Sequence, residues 1–183
     1  TMPHKGDAFE ANVPHSTVTT LIRLLPDDVI GIDIGEHTIR FSFDNYEVRS
    51  QLVQGSFPSL DQLIPESYEH RVTVDRDMLR NEVESAMVLA GQGSNIIRLT
   101  TKPATLCVEG YSSEVGNYQG QADAAIDESE QGKTALDGRY LADFLAAFDK
   151  GTLHIDWRDP SRIIRLQQSD DGFYLCMPMA VQW

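Results

Sequence analysis

Apolar positions recur at helical spacing in three places along the chain and alternate at strand spacing around each. Over residues 16–25, Val18, Leu21, Ile22 and Leu25 fall at i, i+3, i+4 and i+7, bracketed by Pro14 and Pro26, which predicts an amphipathic helix. The template returns over 140–148 in Leu141, Phe144, Leu145 and Phe148, with Asp137 as N-cap and Gly151 near the exit. Between them a helix is predicted over 75–90, closed by Gly91, with Leu79, Val83 and Ala86 in matching places and Glu82 at the i+3 position. The interval is 61 residues from Val18 to Leu79 and 62 from Leu79 to Leu141.

A short β-like segment precedes each helix, at 9–13, 71–74 and 134–136, and alternating segments follow. After the first helix these are Ile30/Ile32/Ile34, Ile39/Phe41/Phe43 and 48–53; after the third, Leu153/Ile155/Trp157, Ile164/Leu166 and Phe173/Leu175/Met177. The chain therefore reads as three copies of a strand–helix–strands unit of the α+β class, about sixty residues each, none able to bury its helix face alone. Two copies pair into a domain. The odd first copy is then expected to be the second half of a domain whose first half precedes Thr1, so Thr1 is not expected to be the natural start. The expected domains are 1–65 and 66–183, divided near Pro65–Glu69 after the turn-rich run from Gly55 to Ser59. The stretch 119–132, with acidic Asp127-Glu128-Ser129-Glu130, is expected to be a solvated loop joining the two halves of the second domain.

Composition narrows the function. With 28 acidic against 15 basic side chains the net charge is −13, so the whole molecule repels nucleic acid, and sequence-specific DNA binding is disfavoured. A protein that surrounds DNA without gripping it is compatible with this charge if its few basic residues share one surface. No apolar run reaches the ~18–20 residues of a membrane helix, and no secretory leader pattern opens the sequence, so a cytoplasmic protein without membrane contact is expected. Cys107 and Cys176 lie in apolar segments and are expected to be buried, reduced thiols.

No chemistry-bearing motif emerges. The five histidines are scattered, none at ligand spacing, and there is no phosphate loop, nucleophile elbow or dinucleotide fingerprint. Glu82/Glu84 and Asp75/Asp77 are i,i+2 pairs, which point to different faces of a helix and cannot share acid–base work. No catalytic residue, metal or cofactor is expected, although an α+β hydrolase or small-ligand domain assembled from distant residues stays open.

Three motifs carry a resemblance. Ser50-Gln51-Leu52-Val53-Gln54-Gly55-Ser56-Phe57-Pro58 with Leu63-Ile64-Pro65, then Tyr140-Leu141-Ala142-Asp143-Phe144-Leu145, then Tyr174-Leu175-Cys176-Met177-Pro178-Met179 resemble, in order, motifs of bacterial DNA sliding clamps, the beta subunit of DNA polymerase III. The resemblance spans this chain and about half of a family member. It implies the DNA-clamp fold, here one complete C-terminal domain plus half of the middle one, and a non-catalytic processivity factor in DNA replication. Two full-length chains would close head to tail around duplex DNA. The DNA polymerase catalytic subunit, the clamp loader and other proteins would bind by short Gln/Leu/Phe-rich peptides. Carried over position by position, the peptide pocket would comprise Pro58, Gln62, Leu63, Asp137, Tyr140, Ser161, Ile163, Leu175, Cys176, Met177, Pro178 and Met179. Arg23, Arg76, Arg80 and Arg139 would face DNA, and Val88 and Leu89 would lie in the dimer interface. Asp137 stands where the family often has Asn, Gln62 where some members have Arg, and the tail after Met179 departs from the usual pattern.

Overall fold

The computed structural model describes residues 9–26, 29–56, 59, 63–65, 67–127, 131–169 and 172–183. The chain divides into two compact units, residues 1–59 and 60–183, a few residues before the division expected near 65.

In the first unit, helix α1 (His15–Leu24) is followed by the antiparallel strands β1 (Gly31–Ile34), β2 (Thr38–Phe43) and β3 (Tyr46–Gln51). Alternation on β2 buries Ile39, Phe41 and Phe43 around Leu21 of α1, with Val13, Ile30, Val48 and Leu52 packed alongside. Segment 9–13, expected as a strand, forms none. It runs beside the end of β3 through the Val53 amide on the Asn12 carbonyl at 2.8 Å and the Asn12 side chain on the Gly55 carbonyl. Only part of the predicted apolar stripe of α1 is covered, because one short sheet reaches one side of a ten-residue helix. Val18 and Ile22 remain exposed, as do Ile32 and Ile34.

The second unit holds two successive copies of one motif. The first is β4 (His70–Asp75), α2 (Arg76–Ala90), β5 (Ile96–Lys102), β6 (Thr105–Ser112) and β7 (Gly116–Ile126). The second is β8 (Lys133–Asp137), α3 (Gly138–Ala146), β9 (Thr152–Trp157), β10 (Ile164–Ser169) and β11 (Gly172–Cys176). Asp75 and Asp137 cap the two helices, each accepting a hydrogen bond from the amide two residues on. The copies exchange their first strands: β4 pairs with β9 and β8 with β5, giving one antiparallel sheet in the order β11-β10-β9-β4-β7-β6-β5-β8.

Both helices pack on one face of this sheet. Leu79, Val83, Ala86 and Ala90 of α2 and Leu141, Phe144 and Leu145 of α3 meet Ile97, Leu99, Val108, Leu136, Ile155, Trp157 and Leu166 from the strands. Two glycines set how closely the layers approach. A Cβ on Gly110 would stand 2.2 Å from the Ala86 carbonyl oxygen, and one on Gly138 would stand 2.3 Å from the Met87 sulfur. Glu82, the polar residue in the apolar stripe, is accommodated over Gly120, where it accepts a 2.7 Å hydrogen bond from the Tyr118 hydroxyl. The tyrosine's pKa is raised mainly by that bond.

The stretch 119–132 is not the expected loop. Residues up to Ile126 belong to the eleven-residue β7, because Ala122 and Ala124 alternate into the core while polar residues between them face out. Residues 128–130 of the acidic run lie outside the described residues. Strand β11 also ends before Met177, since its partner β10 begins at Ile164, opposite Cys176.

Candidate functional site

The edges of the eight-stranded sheet, β8 and β11, come together through the residues that follow β11. Among the described residues no strand ladder joins them, and the link is one hydrogen bond from the Met179 amide to the Ala135 carbonyl, 2.7 Å. The equivalent junction in the other half is a true ladder, β4 against β7 over Val72–Ile126, Thr73–Ala125 and Val74–Ala124. The domain thus has one closed seam and one open seam, and half of the expected pocket residues, Asp137, Tyr140, Cys176 and Met177–Met179, stand at the open one.

Asp137 ends β8 and caps α3. Its carboxylate accepts from the backbone and the guanidinium of Arg139, and that pairing holds the carboxyl below the usual range. Tyr140, in the first turn of α3, is 49% exposed, and Met177 is 65% exposed. Tyr174, also exposed, lies 6.1 Å from the Phe144 ring; its pKa is raised by burial and by the neighbouring Cys176, Asp143 and Tyr140. Cys176 turns into the core, where burial, helped by Asp137, pushes its thiol up to about 11. Both cysteines are free and buried, as their strand context predicts.

Leu175 is half-buried and stands opposite Arg165, while Ile163 is buried just ahead of β10. Ser161 is committed to a turn, donating from its amide and hydroxyl to Asp159. Leu63 is exposed, and Pro58 and Gln62 lie outside the described residues. The structure therefore gathers Asp137, Tyr140, Cys176 and Met177–Met179 with Tyr174, which the sequence reading quoted in a motif but did not assign to the site. Nothing but its apolar exposure beside Met177 marks it out.

The four expected DNA-facing arginines do not behave alike. Arg76 is only 5% exposed, and its guanidinium donates twice to the Leu145 carbonyl, at 2.9 and 2.7 Å, and to Asp77. This corrects the expectation that it shares an open face with Arg80. A side chain at the first position of a helix leans back past the N-terminus, and here it meets a carbonyl in the last turn of α3 that has no helical partner. Arg80 is exposed and paired with Glu84, Arg139 is exposed and paired with Asp137, and Arg23 is exposed in the last turn of α1. At the far end of α2, Val88 is exposed and Leu89 half-buried.

Comparison with known proteins bears on this arrangement. The family profile "DNA polymerase III beta subunit, C-terminal domain" matches residues 61–180, and "DNA polymerase III beta subunit, central domain" matches 2–59. The beta sliding clamp of Staphylococcus aureus is 26% identical over 172 residues, covering 91% of this chain and 46% of the relative. That of Pseudomonas putida is 27% identical over 180 residues, covering 94% and 48%. The chain thus spans about half the length of the curated relatives it matches. The crystal structure of the beta chain from Streptococcus pneumoniae superposes with a TM-score of 0.83 at 23% identity, covering 99% of this chain and 50% of that one. With the C-terminal-domain profile matched over residues 61–180, which hold the strand-exchanged pair of repeats, and the central-domain profile over residues 2–59, the chain belongs to the DNA polymerase III beta subunit family, the bacterial sliding clamps.

Proposed function

We propose that the chain is the central-to-C-terminal part of a replication processivity clamp, and that it tethers polymerase and other replication proteins by holding their peptides at the open seam between β8 and β11. The observation that carries this reading is the group of exposed Tyr140, Tyr174, Met177 and Met179 around a junction closed by one backbone hydrogen bond. Apolar side chains so arranged suit paired Leu or Phe anchors, the two tyrosines add hydroxyls for polar backbone contacts, and the methionines adapt to different ligands. Two anchors at ~1.5–3 kcal/mol each supply about 3–6 kcal/mol before the ordering of the peptide is subtracted, which gives weak affinity, on the order of tens of micromolar to millimolar.

The ring itself finds support in two surfaces. Residues 116–123 of β7 pair with β6 on one side, and β4 takes the other side only at 124–126, so among the described residues one edge of the strand stays open beside the α2 end that bears Val88. An open strand edge next to exposed apolar side chains suits a second subunit. The uncovered apolar face of α1 and β1 likewise suits a preceding repeat. Duplex DNA would be met by exposed Arg23, Arg80 and Arg139 through phosphates only, weakly and without sequence preference, as sliding requires. Fluorescence anisotropy with a labelled Gln-Leu-x-Leu-Phe peptide tests the site. Wild type should bind weakly, on the order of tens of micromolar to millimolar, and Tyr140→Ala and Met177→Ala should each weaken binding about tenfold or more. Equal binding by all three would remove the site.

A further inference from the structure

The residues beyond Met179 return to the sheet. They run over the face of β5 and β8 that points away from the helices, since Ile97, Leu99 and Leu136 occupy the helix side. Ala135, whose carbonyl holds the Met179 amide, stands opposite Arg98 in the β5–β8 ladder, and Lys133 stands opposite Thr100 one step along. The Trp183 ring lies over both cations, 5.7 Å from the Arg98 guanidinium carbon and 5.5 Å from the Lys133 ammonium, within cation–π range. Between the two attachments, Val181 helps wall a hollow of about 430 Å³ with Ile96, Arg98 and Tyr111.

Met177 to Met179 is therefore a short bridge fixed at both ends. One end is Cys176 of β11, paired with Ile164 of β10; the other is the Ala135 hydrogen bond, behind which the next attachment is Trp183. We propose that Trp183, through Arg98 and Lys133, is a positioning residue for the peptide site. It pins the tail on β5 and β8 and so holds Met177–Pro178–Met179 stretched across the open seam in a binding-competent form. An order imposed before binding is an entropy the peptide need not overcome. The inference rests on the peptide-site reading above and adds a residue that itself need not touch the peptide.

The test uses the full 183-residue chain as wild type, Trp183→Ala, Trp183→Phe, the double variant Arg98→Gln/Lys133→Gln, and Tyr140→Ala as control. Two quantities are measured: hydrogen exchange of the Met179 amide, and affinity for the labelled peptide. Trp183→Ala and the double variant should each speed Met179 exchange and weaken the peptide by up to about 5- to 30-fold, the most that two exposed cation–π contacts supply. Trp183→Phe, which keeps an aromatic face, should stay within about twofold of wild type, a rescue that general loosening of the fold would not give. Unchanged Met179 exchange in Trp183→Ala overturns the anchor. Faster exchange with unchanged peptide affinity, while Tyr140→Ala still weakens binding, overturns the positioning role and leaves the peptide site standing. If wild type does not bind or Tyr140→Ala binds normally, the peptide site fails and the positioning role with it.

Discussion

Arg76 separates structural from functional charge most sharply at the scale of single residues. Its side chain donates two hydrogen bonds to the Leu145 carbonyl in a buried setting, so Arg76→Gln should destabilise the chain by about 1.5–3 kcal/mol in urea unfolding and leave DNA affinity untouched. Arg80→Gln should do the reverse, leaving stability within about 0.5 kcal/mol, since its pair with Glu84 is exposed, and lowering the salt slope of any DNA binding. Asp137 and Cys176 set the two pH limits of the site. The Asp137 carboxyl has a folded pKa below its unfolded one, so its contribution is complete above about pH 4 and disappears as pH falls through the lower folded value. The Cys176 thiol ionises near 8.5 when unfolded but near 11 when folded, so its contribution is complete below about pH 8 and is lost across the interval up to about 11. Urea unfolding as a function of pH should show both limbs, with Cys176→Ala flattening the alkaline one and Asp137→Asn the acid one.

The caps and stripes of the elements were readable because each rests on local physics. Asp75 and Asp137 precede helices whose apolar residues keep a 3.6-residue period, and both helices begin one residue after them. Asp137→Ala should cost about 0.5–2 kcal/mol, seen in thermal unfolding, and should weaken peptide binding too, because the first turn of α3 carries Tyr140. What sequence missed depends on partners distant along the chain. The strand β7 was hidden by its Gln and Asp residues, which face outward while Gly120, Ala122 and Ala124 face the core, a pattern too low in large apolar side chains to register. The burial of Arg76 needed knowledge that the end of α3 lies against the start of α2. The pocket residues were legible only as a motif; spacing gives no hint that β8 and β11 meet, and Trp183 gains meaning only from Arg98 and Lys133 beneath it.

For the molecule as a whole, the open edge of β7 and exposed Val88 bear on assembly. In the proposed ring this surface would meet the first domain of a partner subunit, so the 183 residues expressed alone should sediment as monomer, and a closed ring in solution would contradict the proposed interface. The exchange of first strands also governs how the second unit comes into being. His70 finds Trp157 across 87 residues, so β4 has no neighbour on that side until β9 exists. Contacts this remote in sequence slow folding toward milliseconds to seconds. On the ribosome the first repeat must wait, its β4 edge bare, until nearly the whole chain has emerged. Nascent chains arrested before residue 152 should remain protease-sensitive and prone to aggregate, whereas chains released past β11 should close in a single cooperative step.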